Sequence, residues 1–266
     1  MVLTIISSRD ILVLICSGYN KLIMTDLNER QLHILKAIVE EFIETAQPVG
    51  SEKLDKKYNL GVSPATIRNE MVKMTNMGFL KQLHTSAGRT PTSIAMKLYV
   101  NKLMKLEDLS VAEEVSVKQK IWDYRSEMEK LLREATRALA SQTKAMSLAT
   151  TDEGDIFASG MSNILDMPEF YDIDVTKELL DTLDEYDYWQ KIIAHLLIGT
   201  DPVSILLGED MGGRLLNQCG GVFVKFTSPH HQGAIGVIGP SRLNYPKVIP
   251  IVRYVGGLIN DVAGEW

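Results

Sequence analysis

Residues 60–89, LGVSPATIRNEMVKMTNMGFLKQLHTSAGR, constrain the fold of this chain more tightly than any other stretch. Ser63 can cap a helix by accepting from a backbone N–H one turn on. Pro64 suits the first helical position, where the N–H it lacks would have no partner. Ile67, Met71 and Met74 recur at helical spacing as an apolar stripe, and Thr66, Arg68, Asn69 and Lys73 fall off it. Gly78 stops the helix, Phe79-Leu80 opens an extended segment, and Thr85-Ser86-Ala87-Gly88 turns it back. A short helix with Arg and Asn near its start, followed by a polar turn carrying His84 and Arg89, suits a major groove and its flanking phosphates.

Two helices precede it. Leu27–Thr45 places Leu32, Leu35, Ile38, Val39, Phe42 and Ile43 on one stripe with Asn28 as cap, and Gln47-Pro48-Val49-Gly50 ends it. Ser51–Tyr58 gives the second, with Ser51 as cap and Leu54 and Tyr58 inward. Three short helices and a two-stranded wing define a winged helix-turn-helix with the third helix as reader. A further helix over Thr92–Leu106 leaves the wing.

Glu113–Lys144 reads as one long helix, with Ile121, Trp122, Met128, Leu131, Leu132 and Leu139 on an apolar face. Its length suits a connecting or dimer-forming helix. The period then changes. Ala145–Thr151 and Asp155–Met161, joined by Asp152-Glu153-Gly154, read as a hairpin, and Val203–Leu207, Gly221–Phe226 and Ala234–Ile238 as strands. Glu178–Ile198 reads as a helix interrupted near Asp184–Asp187, and Pro246–Val262 as a closing helix. Few strands with flanking helices make an α+β domain with an antiparallel sheet. The expected divisions are an appendage over 1–23 (with Met24 as a candidate start), a DNA-binding domain over 24–107, a connecting helix over 108–144 and the α+β domain over 145–266.

Charge separates the halves. Residues 24–105 hold 12 Lys+Arg against 8 Asp+Glu, while 106–266 hold 14 against 25. Phosphate attraction is therefore local to the first domain, and the acidic remainder repels DNA. Cys16 and Cys219 are too few for a disulfide framework or a zinc cluster, which makes a reducing cytoplasm the default. The apolar run Ile11–Cys16 is far short of a bilayer span and lacks the flanks of a signal peptide.

These residues carry a resemblance. LNERQLHILKAIVEEFIETAQPVGSEKL at 27–54, SPATIRNEM at 63–71 and GFLKQLHTSAGRTPT at 78–92 resemble the start of the heat-inducible transcription repressors of the HrcA type. NILDMPEF at 163–170, ILLGED at 205–210 and GAIGVIGPSRLNYPKVIPIVRYV at 233–255 are similar to that family's carboxy-terminal, GAF-like domain. The resemblance implies a homodimeric repressor that binds double-stranded DNA at an inverted repeat upstream of chaperone genes. It further implies an active state maintained by a GroEL-type chaperonin and lost when unfolded proteins occupy that chaperonin. Family members carry an inserted dimerisation domain before the NILDMPEF-like segment. Here only Ala145–Ser162 fills that interval, so the chain reads as a short variant lacking most of the insert. The long helix and the shortened sheet are then left to supply the dimer contact.

For contact with DNA, Arg68 and Asn69 suit base edges, because Arg pairs with guanine and Asn with adenine; phosphate contact or capping is the plain alternative. Ser63, Thr66 and Lys73 suit phosphates, although for Ser63 pure capping is the stronger reading. In the wing, His84, Thr85, Ser86, Arg89 and Thr90 suit backbone or minor-groove contact, with Gly88 letting the turn tighten. No catalytic, cofactor or metal residue is expected. His195 lies in an apolar helical run, His230-His231 in an exposed turn, and no nucleophile elbow or phosphate-loop pattern is present. Arg242, in Gly239-Pro240-Ser241-Arg242, reads as an anion site or as a turn residue paired with an acid. Two other readings remain at this point: a metabolite-responsive winged-helix regulator with a pocket in the α+β domain, and a winged helix that makes protein contacts only.

Overall fold

The first helix, α1 (Glu29–Thr45), begins in a reciprocal closure. The Gln31 N–H donates to Asn28 Oδ1 at 3.0 Å and the Asn28 N–H to Gln31 Oε1 at 3.0 Å, which satisfies two donors that a helix start leaves orphaned. In the computed structural model the described residues are 27–82, 88–124, 127–185, 187–189, 191–192, 202–212, 215–228 and 231–263. The expected appendage over 1–23 lies outside them. By contact they divide into two units, one reaching Leu103 without 43–46, the other running from Met104 and including 43–46.

In the first unit, α2 (Ser51–Tyr58) corrects one expectation. Gly50 is the N-cap without a side-chain bond, and Ser51 is already helical and buried. α3 (Pro64–Asn76) keeps the expected start, and Gly78 at φ +83 provides the left-handed turn after it that a Cβ would disfavour. β1 (Leu80–Lys81) and β2 (Thr90–Pro91) pair antiparallel, Leu80 opposite Pro91 and Lys81 opposite Thr90. Ile34, Leu35, Ile38, Leu54, Ile67, Met71, Met74, Phe79 and Leu80 form the core between these elements. The helix after the hairpin is shorter than its pattern suggested. α4 (Ser93–Leu98), capped by Thr92 Oγ1, runs into one π-helical turn over Tyr99–Leu103.

A buried carboxylate joins α1 to α2. Glu41 is fully buried. It accepts from Lys57 Nζ at 2.7 Å and Tyr58 Oη at 3.2 Å and pairs with Lys53. Burial pushes its pKa up, but the hydrogen bonds and charges of the two lysines outweigh that and hold it below 4.5. The ion pairs therefore stabilise the unit above pH 4.5, and the contribution fades as acid takes the folded carboxylate through its lower value. Glu41→Gln is expected to cost about 2 kcal/mol at neutral pH by urea denaturation, less than a fully buried pair because the lysines reach solvent. The gap from the parent should close as the pH falls below 4.5.

The second unit corrects the long helix. Its pattern resolves into α5 (Val111–Trp122) and α6 (Met128–Thr143), interrupted between Asp123 and Glu127. Each has its own start, α5 in a capping box between Ser110 and Glu113. The two pack on each other and on α8 (Tyr245–Ala263), burying Val117, Ile121, Leu131, Leu132, Ala135 and Leu139. A single continuous helix would leave that face in water.

The expected hairpin is present as β3 (Met146–Thr151) and β4 (Ile156–Ser159). With β5 (Val203–Leu207), β6 (Cys219–Thr227) and β7 (Gln232–Pro240) they form one antiparallel sheet in the order β4-β3-β7-β6-β5. One face packs a core of Leu148, Ile164, Phe170, Leu179, Trp189, Leu206, Phe223 and Ile238. α7 (Ile173–Asp181) contributes to it, starting before the expected Glu178; residues 193–198 of that pattern lie outside the described set. Pro250 sits inside α8 and offers no N–H to the Pro246 carbonyl, which accepts from the Glu107 N–H at 3.0 Å instead. Mixed helix and antiparallel sheet make the α+β class expected.

Candidate nucleic-acid interface

α3 is held by its inward stripe, and Ile67, Met71 and Met74 are all buried. The same spacing turns Glu70 inward, a position the apolar pattern passes over. Glu70 accepts from Gln31 Nε2 at 2.9 Å and from Lys73 Nζ at 3.1 Å. The Lys73 hydrogen bond, then that of Gln31, hold its carboxylate below the ordinary range against the effect of burial. Part of the signal was present: a Glu at an i, i+3, i+4, i+7 position needs a partner, but nothing local names Gln31 as that partner.

On the outer side of α3, Arg68, Asn69 and Lys73 are exposed. Arg68 and Asn69 have no hydrogen-bond or ion-pair partner among the described residues. Lys73 is tied to Glu70, yet its side chain is 60% exposed, and such a pair exchanges readily. Ser63 acts as a cap, its Oγ accepting from the Thr66 N–H at 3.3 Å and lying 3.0 Å from Thr66 Oγ1. Both hydroxyls are locally engaged.

Arg89 is half-buried, its Nε donating to Thr75 Oγ1 at 2.8 Å, and that hydroxyl donates to the Met71 carbonyl at 2.8 Å. Burial, and then the nearby Arg68 charge, push its pKa down. The Arg68 guanidinium is therefore near enough to disfavour the charge on Arg89. Arg89 also bridges to Val49, through its own N–H to the Val49 carbonyl and the Val49 N–H to its carbonyl, both at 2.9 Å. Gly88 stands against that bridge. A Cβ on it would come within 2.5 Å of the Val49 carbonyl oxygen. Close backbone approach is therefore a reason for glycine here.

Of the other wing residues, Thr90 is buried in β2, and its hydroxyl does not face outward for a duplex as expected. A two-residue strand shows no alternation from which that could be read. His84, Thr85 and Ser86 lie outside the described residues. Lys81, exposed on β1 opposite Thr90, is a cation that motif reading passed over.

In the second unit, Arg242 pairs with Glu169 at 2.6 and 2.9 Å, which fulfils the paired-turn reading. Burial pushes the Cys219 thiol up to about 12, an unreactive state. His195 and His230 lie outside the described residues. Among those described, no group of three or more His, Cys, Asp or Glu could hold a metal, and no helix is long and apolar enough to cross a membrane.

The first unit thus presents Arg68 and Lys73 exposed on one side of α3, in one chain with an antiparallel α+β unit. The comparisons then give the family. The family model described as "HrcA protein C terminal domain" matches residues 68–249. The chain belongs to the HrcA family. It is 25% identical to the heat-inducible transcription repressor HrcA of Ruminiclostridium cellulolyticum, across 88% of this chain and 97% of that one. It is 27% identical to the protein of the same name from Clostridium tetani, across 88% and 95%. A crystal structure of a hypothetical protein at 2.2 Å resolution shares the fold, with a TM-score of 0.72 and 17% identity, covering 91% of this chain and 99% of that one. The alignment to the Ruminiclostridium protein runs over 337 positions, and this chain has 266 residues. At least 71 of those positions, the difference between the two, therefore hold a residue of the relative and none of this chain. That agrees with the short-variant reading.

Proposed function

We propose that this chain is a repressor of heat-shock genes that binds an inverted-repeat operator upstream of chaperone operons as a homodimer. The helical unit acts as a winged helix-turn-helix, with α3 in the major groove and the β1–β2 hairpin as the wing. Arg68 and Asn69 read base edges. Ser63, Thr66 and Lys73 lie along the phosphates, and His84, Thr85, Ser86 and Arg89 flank the groove, with Lys81 beside them. Thr90 is left out of this set because it is buried. The second unit acts as a shortened GAF-like domain, and a GroEL-type chaperonin in the cytoplasm maintains the active form. The single observation that carries the reading is the pair Arg68 and Asn69, exposed on one side of a helix that Ser63 caps and that Ile67, Met71 and Met74 seat.

Fluorescence anisotropy with a labelled operator tests it. Arg68→Ala should weaken binding by about 1–3 kcal/mol and flatten the differences among operator variants, while Lys73→Ala should weaken all duplexes alike. Operator affinity within twofold of the parent for Arg68→Ala would contradict the assignment.

A further inference from the structure

α5 presents two faces. Val117 and Ile121 are buried, whereas Val111 is 75% exposed, Val115 47% and Trp122 38%. Val111, Val115, Lys118 and Trp122 are spaced four, three and four residues apart, the alternation of a helix–helix seam. Lys118 lies over the Trp122 ring at 5.2 Å from its centroid. Beside them, Val115, Lys118, Gln119, Trp122 and Asp123 line an open groove of about 630 Å³. The helix therefore carries a groove near its end and an exposed knob, Val111, at its start.

We infer that a second copy of this chain covers this face, α5 lying antiparallel against α5. This rests on the dimeric repressor proposed above and supplies its contact. A two-fold axis across the middle of the helix seats Val111 of each copy in the groove beside Trp122 of the other and brings Val115 against the Lys118 stem. The charges select the same direction. Glu114 lies toward the start of the seam and Lys118 toward its end, so antiparallel pairing sets each lysine beside the other copy's glutamate, whereas parallel pairing aligns like charges. Three helical turns form a small interface, so the association is weak and concentration-dependent until DNA holds two copies together.

Sedimentation velocity on the full chain, without DNA, tests this. The parent should shift from monomer to dimer as concentration rises through the micromolar range. Val115→Asp and Lys118→Glu, both at exposed positions, should each weaken self-association by about tenfold or more with unchanged melting temperature. Lys118→Glu combined with Glu114→Lys, which reverses the pair, should restore it to within about threefold of the parent. A monomer at every concentration overturns the inference, as does a dimer indifferent to Val115→Asp and Lys118→Glu. The same result follows if the reversed pair fails to restore a dimer that the single reversals weaken. The Arg68→Ala operator measurement does not depend on any of these outcomes, so the surface and the repressor reading fail separately.

Discussion

Gly88→Ala is expected to destabilise the helical unit by about 3 kcal/mol and to weaken operator binding along with it. The added carbon would stand 2.5 Å from the Val49 carbonyl oxygen and 2.6 Å from its carbon, both backbone atoms that no rotamer change can move aside. Relief requires the strands to part, which breaks the two 2.9 Å bonds between Val49 and Arg89. Two such bonds are worth about 2 kcal/mol, and residual strain adds roughly one more. That is a large share of a small domain's stability. Arg89 is also carried on this bridge, so its guanidinium would leave its place beside Thr75. Chemical denaturation should read the stability loss, and anisotropy at a temperature where the variant is still folded should read the binding loss. Parent-like stability would mean that the Val49 bridge is absent in solution.

Gly236→Ala is expected to cost the α+β unit about 4 kcal/mol, the largest single effect anticipated here. Gly236 lies on β7 between its two neighbouring strands, opposite Leu148 on β3 and Phe223 on β6. Its missing side chain makes the bed for the Phe223 ring: a Cβ would come within 2.6 Å of that ring and 2.1 Å of the Val222 carbonyl oxygen. Phe223 in turn packs on Trp189, with 6.0 Å between centroids, so displacing it opens the core. Overpacking costs about 1–3 kcal/mol, and lost ladder bonds add about one each. Calorimetry should show a lowered transition for the α+β unit and an unchanged one for the helical unit. A variant that melts with the parent would mean that Phe223 does not lie across Gly236.

Where local rules decide the structure, the sequence was legible. Ser63 with Pro64 marked the start of α3, and the apolar run Val203–Leu207 gave β5 to the residue. Asp152-Glu153-Gly154 marked the β3–β4 turn. Where distant residues decide, it was not. The break after α5 leaves no trace, because Ile121, Met128, Leu132, Ala135 and Leu139 keep helical phase across it and only folding back on a partner helix separates them. β6 and β7 were read short because Gly220, Gly233 and Gly239 look like breakers, although β6 and β7 pair straight through them. The exposed side of α3 was readable from spacing alone. The Glu70–Gln31 bond and the reason for Gly88 were not, since each depends on a residue 39 positions away.

The most direct measurement is competition binding of the full chain to a palindromic duplex from a chaperone promoter against a scrambled duplex of equal length, at physiological salt with the chaperonin supplied. A preference of about a thousandfold or more, with two chains bound per palindrome, is predicted. Equal affinity for the two duplexes would contradict the account.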